Sequence, residues 1–224
     1  MFRDLDPVIA TQEQFQSVSI AGRGFYALEF LLYDPLYLET SEAAYRCAMI
    51  NATTKDIAAN AKAILVGWSE GYADLMRQAG SNSTYQSEAE AAQQMFTALS
   101  AGLEFTSMTR LGRPMGTFDR PRPNRAEVRR SERSLDHVVV SLKALQNLAA
   151  LLSDQDEVLD ATFLKAIMIA RDLDDPIFAG VSDVQGRLRV EILQQSIDTI
   201  RLLVANELGP RLGIAAGFNS QDGD

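Results

Sequence analysis

Between residues 135 and 152 the apolar side chains Leu135, Val138, Leu142, Leu145, Ala149 and Leu152 recur three or four apart, with nearly heptad spacing. Such spacing puts all six on one face of a helix, and a helix with one apolar stripe has to bury it against another helix or a sheet. The same period returns in Ile57, Ala61, Ile64, Trp68, Tyr72 and Leu75, and more briefly in Met95, Leu99 and Leu103. Thr11 with Gln14, Ser83 with Gln86, Asn124 with Glu127, and Ser182 with Gln185 each match the pattern in which a hydroxyl or amide caps a helix and the residue three on returns the bond. These signals predict six helices, over 12–33, 41–78, from 83 to before 110, 124–152, 156–173 and 184–208. Short connections between long helices favour antiparallel bundle packing. The fold class expected is all-α.

The prolines gather in one place, "RLGRPMGTFDRPRPN" at residues 110–124. A helical-bundle half over residues 1–120 and a second over 121–224 are therefore expected, divided at that linker. With 46% hydrophobic residues the chain has ample material for a core.

Composition removes several functions. A formal net charge of −9 disfavours nucleic acid as a partner, because phosphate binding needs a basic face. The one basic run, Arg120 to Arg133, suits a local anion or carboxylate. A single histidine, His137, and a single cysteine, Cys47, exclude a histidine-pair zinc motif, a Cys-based zinc site and an intramolecular disulfide. Cys47 reads as a small buried hydrophobe and His137, beside a core stripe, as structural. Phosphate loops of the Walker or Rossmann type do not occur. No uninterrupted apolar stretch is long enough to span a bilayer, and Met1 is not followed by the apolar core of an export signal.

The stretch "GRGFYALEFLLYD", residues 22–34, carries one carboxylate, Glu29, in an otherwise apolar helix. A buried carboxylate needs a partner, a proton or a metal. Tyr26 stands three residues earlier on the same face, and two oxygen ligands at this offset can meet one ion. The alternative is a core tyrosine beside a glutamate paired with Arg23, Arg110 or Arg133. In "EVRRSERSLDH", Glu127, Arg130, Ser131 and Ser134 form a polar stripe able to hold an anion, or simply a solvated first helical turn. The acidic tail in "LGIAAGFNSQDGD" only weakly echoes a calcium loop, whose closing glutamate is missing.

Taken together, "GFYALEFLLYD", "RLGRPMGTFDRPRPNRAEVRRSERSL" and "LGIAAGFNSQDGD" resemble the imelysin-like proteins of bacterial cell envelopes, in the family's order and over most of the chain. The family signature is Gly-x-His-x-x-Glu; here Gly24 to Glu29 occupy it, with Tyr26 in the histidine's place. The resemblance implies two packed helical bundles and a protein of the periplasm or outer envelope that binds a metal, iron foremost, or a small anionic ligand. It also implies a role in iron uptake beside other envelope proteins. Glu29 and Tyr26 would be the metal ligands, in a cleft between the bundles with Ser131, Arg133 and Ser134 nearby. A metallopeptidase is the alternative function, weakened by the lost histidine, and a non-catalytic scaffold is a third. Relatives carry an export signal and further helices ahead of the motif. The motif of this chain begins at Gly24, as in a chain shortened at its start.

Overall fold

The computed structural model describes residues 5–214, and among these the regular structure is helical, with one isolated bridge between Thr117 and Arg120. The chain divides into two compact units, Met1–Leu75 and Met76–Asp224.

In the first unit the expected helix over 12–33 is two. Thr11 caps α1 (Gln12–Gln16), accepting from the Gln14 amide at 3.2 Å while its hydroxyl meets the Gln14 side chain, as the capping pattern predicted. A short 3-10 turn, Ile20–Gly22, and the left-handed backbone of Gly24 (φ 78°) then redirect the chain before α2 (Gly24–Tyr33). Only glycine takes that φ without strain. Asp34 ends α2 and caps α3 (Pro35–Leu38) through the Leu36 amide at 3.0 Å, with Pro35 in the first helical position. α4 (Ala43–Gly67) continues through a π-helical turn, Trp68–Tyr72, into α5 (Ala73–Arg77), which crosses the division between the units.

α4 is the principal neighbour of α2. The pair is antiparallel: Arg46 Nε donates to the Leu31 carbonyl at 2.7 Å near one end, and Arg23 Nε meets Asp56 Oδ2 at 3.1 Å near the other. The buried face of α4 is Met49, Thr53 and Asp56, whereas the expected stripe has Ile64 and Trp68 exposed. Periodicity located the helix correctly; its outer half presents that apolar stripe to solvent. Cys47 is exposed as well, so the reading of it as a buried hydrophobe is corrected: it lies off the Met49–Thr53–Asp56 face.

The second unit is built on α6 (Glu88–Glu104), α8 (Ser134–Leu152), α9 (Glu157–Leu173) and α10 (Val184–Leu203). α6 runs through a π-helical segment, Phe105–Leu111, into α7 (Gly112–Met115), and α10 through another, Val204–Leu208, into α11 (Gly209–Arg211). Leu99, Leu103, Val138, Leu142, Phe163, Ile197 and Ile200 are fully buried in one cluster. Each such side chain stabilises by about 1.5–3 kcal/mol relative to exposure. α6 approaches α8 so closely that a Cβ at Gly102 would lie 2.6 Å from Leu145 Cδ2. Because α6 packs on both α8 and α10, the expected boundary at residue 120 falls inside this unit.

The helix starts differ from expectation in informative ways. The cap of α6 is Ser87, which accepts from the Glu90 amide at 3.3 Å while Glu90 accepts from the Gln86 amide at 2.7 Å; Ser83 lies in the preceding loop. Asp183, not Ser182, caps α10, through the Gln185 and Gly186 amides at 3.0 and 2.8 Å. The helix expected from 124 begins at Ser134, because Val128 (φ 45°) and Glu132 (φ 58°) adopt left-handed backbone incompatible with a continuous helix. α8 is long and apolar enough to cross a membrane by length and composition, yet Val138, Leu142 and Ala149 sit in the core against α6 and α9. The acidic tail lies outside the described residues.

Candidate functional site

On α2, Glu29 is 7% exposed and Tyr26, one turn earlier, 48% exposed. The motif therefore presents one withdrawn carboxylate and one accessible phenol on neighbouring turns of a single helix, as the three-residue spacing dictates.

The interior of the first unit is polar beyond what the motif announces. Asp56 is 1% exposed and is gripped by Arg23 from two sides, Nε to Oδ2 at 3.1 Å and Nη2 to Oδ1 at 3.2 Å. Asn60 Nδ2 adds a bond to Oδ2 at 3.4 Å, and Arg23 Nη1 also donates to the Gln16 carbonyl. This fork ties the start of α2 to α4 and neutralises the buried carboxylate. Thr53, one turn before Asp56, is fully buried, and its hydroxyl has no hydrogen-bond partner among the described residues. Sequence reasoning missed Thr53, Asp56 and Asn60. The available signal was their polarity at spacings of three and four on one face of α4.

The remaining expected site residues belong to the second unit. Ser131 Oγ donates to the Val128 carbonyl at 3.0 Å, and the buried Ser134 Oγ donates to the Glu127 carbonyl. Both hydroxyls thus fix the turn that precedes α8. Arg133 is solvent-exposed, 3.7 Å from Asp136, and lines a cavity of about 550 Å³ with Lys143 and Arg171. Arg23, Arg110 and Arg133 each meet a carboxylate of their own unit. Arg23 holds Asp56, Arg133 faces Asp136, and Arg110 meets Glu127 at 3.1 Å while its Nη1 reaches Ser141 at 2.8 Å and its guanidinium lies 4.9 Å from the Phe105 ring centre. His137 lies in the first turn of α8.

Near this arginine a polar layer crosses the second unit. Ser107 Oγ donates to Asp198 Oδ1 at 2.8 Å, Gln194 Nε2 to the Ser107 carbonyl at 3.0 Å, and Arg201 pairs with Asp198 and Glu104 at 3.0 and 3.6 Å. A π-helical turn frees carbonyls that side chains can then satisfy, and every group just named has its partner. This layer is cross-bracing.

Among the described residues no three His, Cys, Asp or Glu side chains stand close enough to hold one ion. Glu29 and Tyr26 can supply two oxygens from one helix. That set does not build a closed metal centre, which takes three or four protein ligands. It can contact a cation that arrives with oxygen ligands of its own.

Compared with known families, the chain matches the imelysin profile over residues 2–204 and belongs to that family. No curated protein and no solved structure is significantly similar to it.

Proposed function

From membership of the imelysin family and the chemistry of α2, we propose that this chain is a binding protein of the cell envelope, periplasmic or at the outer membrane, whose cargo is ferric iron held by a chelator. The observation that carries the reading is the buried Glu29 carboxylate one helical turn from the accessible Tyr26 phenol. Both are hard oxygen donors, the type that suits a highly charged cation. Tyr26 meets the incoming complex at the surface and Glu29 supplies the withdrawn negative charge. The chelator completes the coordination that two side chains leave open.

The same donor set is a poor basis for the peptidase alternative. Catalytic zinc keeps three protein ligands and an activated water, the motif histidine is Tyr26, and His137 is on α8 in the other unit.

Calorimetric titration with Fe(III) citrate, with Zn(II) as control, tests the reading. Saturable binding of the iron complex is expected, abolished in Glu29→Gln and weakened in Tyr26→Phe, which also removes the visible phenolate-to-iron band. Absence of binding by the unaltered protein ends the iron reading.

A further inference from the structure

The loop that leads into α8 and the one that leaves α9 meet at one end of this helix pair, where the Leu135 amide donates to the Pro176 carbonyl at 3.1 Å. Beside that junction lies the cavity of about 550 Å³ in the second unit, a size that suits a small ligand. Its apolar wall is Leu135, Val139, Val140 and Pro176, and every other lining residue is charged.

Three of these charges are engaged. Arg133 lies 3.7 Å from Asp136, and the Asp175 carboxylate accepts from the Ala179 and Gly180 amides at 2.9 and 2.8 Å. The side chains of Glu132, Lys143, Arg171 and Asp174 make no hydrogen bond or ion pair among the described residues. Arg171 stands in the last turn of α9, where a basic side chain ordinarily serves the final carbonyls. Arg189 from α10 takes those of Asp172 and Leu173 instead. Two cations and two carboxylates thus share one cavity without neutralising one another.

The unengaged charges are sorted by sign. Glu132 and Asp174 belong to the two loops at the junction. Lys143 lies seven residues beyond Asp136 on α8, about 10 Å along the helix axis, and Arg171 lies one turn back along α9 from Asp174. The carboxylates therefore gather at the junction and the cations lie away from it, with the apolar wall of α8 between. A purely anionic ligand would face four carboxylates against three cations. A ligand with a positive end, an aliphatic middle and a negative end meets its complement throughout.

We propose that this cavity binds a short aliphatic peptide by its free termini. Its ammonium group lies against Glu132 and Asp174, its carboxylate against Arg171 and Lys143, and its side chains on Val139 and Val140. The guanidinium offers the fork of donors that a carboxylate accepts in pairs. An extended chain advances about 3.3–3.6 Å per residue, so two or three residues span the separation of the charges. The site is contained in the second unit and is independent of the reading of α2.

Calorimetric titration of the full chain with the tripeptide alanyl-leucyl-alanine, its N-acetylated form and its C-terminal amide tests the proposal, beside Arg171→Gln and Asp174→Asn. Both substitutions are at exposed positions, and asparagine accepts the left-handed backbone of residue 174 (φ 49°), so the melting temperature should hold. Saturable binding of the free tripeptide is expected. Either block and either substitution should weaken it about tenfold, the worth of one charge-assisted hydrogen bond. The losses should also pair: amidation costs less in Arg171→Gln than in the unaltered protein, and acetylation less in Asp174→Asn. Failure of the free tripeptide to bind at millimolar concentration overturns the proposal. Equal binding of all three peptides overturns it too, because the groove is then indifferent to termini. Tighter binding of the acetylated form would replace it with a simple anion site.

Discussion

The two units of this chain bury different things. In the second, the interior is dominated by leucines, isoleucines, valines and phenylalanines contributed chiefly by α6, α8, α9 and α10, with Thr106, Ser107, Ser134 and Ser153 the buried polar exceptions. In the first, the buried residues among those described are Phe15, Glu29, Leu31, Met49, Thr53 and Asp56, so half of the interior is polar. Meanwhile Phe25, Tyr33, Leu36, Ile64 and Leu65 of that unit are exposed. A helix pair selected for stability alone would exchange those sets. The difference separates a unit explained by apolar packing from one whose interior is shared between apolar and polar side chains.

The largest effect that could break this contrast comes from truncating the apolar cores. Phe163→Ala removes a fully buried ring and should destabilise the second unit by about 3–5 kcal/mol. Ile64→Ala in the first unit, at a side chain that is mostly exposed, should change stability by less than about 0.5 kcal/mol. Urea unfolding followed separately for each unit measures both. A comparable loss at Ile64 would show that the exposed stripe of α4 is covered in solution.

Next in size is the ion pair that stands in for a core in the first unit. Asp56→Ala leaves Arg23 without its fork and should cost about 2 kcal/mol, below the 3–5 kcal/mol typical of fully buried pairs because the Arg23 side chain is partly solvated. Asp56→Asn, which can still accept from Arg23, should cost less. Were Asp56→Ala neutral, the Arg23–Asp56 tie would not be what holds the start of α2 against α4.

A smaller effect is expected from the second unit's helix start: Ser87→Ala removes the cap of α6 and should lower stability by about 1 kcal/mol. Ser83→Ala is its control and should do nothing.

That pair of serines also shows what was legible beforehand. The four long helices of the second unit followed from the three-and-four spacing of apolar residues, apart from the later start of α8 at Ser134, because burying one face is the dominant force on α6, α8, α9 and α10. Which serine caps was not legible, since Ser83 with Gln86 and Ser87 with Glu90 match the same pattern one turn apart and only the Tyr85–Gln86 loop decides between them. The break at Gly24 was hidden for a related reason: glycine inside an apolar run is compatible with a helix until φ turns positive. Of the candidate site, Glu29 and Tyr26 were readable from their isolation in an apolar run. Thr53 and Asp56 were not, because a polar residue on a 25-residue helix is ordinarily solvated, and only the antiparallel partner shows that this face is inside.

The smallest effects concern pH, and here the two units should diverge in direction. Asp156 caps α9 through the Leu159 amide at 2.9 Å and meets Arg211 at 2.9 Å; the amide first, and then the guanidinium, hold its carboxyl below the ordinary range. A lowered folded-state value means that the contribution is present above the unfolded value near 3.8 and disappears as pH falls through the folded one. Tyr45 is the reverse. Burial first, and then the negative charge of Asp6, raise its phenol above the usual 10.0, while its hydroxyl donates to the Asp6 carbonyl at 2.8 Å. Its contribution is present below pH 10 and is lost as pH rises through the folded value. The second unit should therefore gain its extra pH sensitivity on the acid side and the first on the alkaline side. Asp156→Asn should flatten only the acid limb of the second unit's unfolding midpoint, and Tyr45→Phe only the alkaline limb of the first unit's. If either substitution flattened the other unit's limb, the two units would not unfold as separate cooperative bodies, and the contrast between a packed unit and a polar one would have to be redrawn as a gradient within a single core.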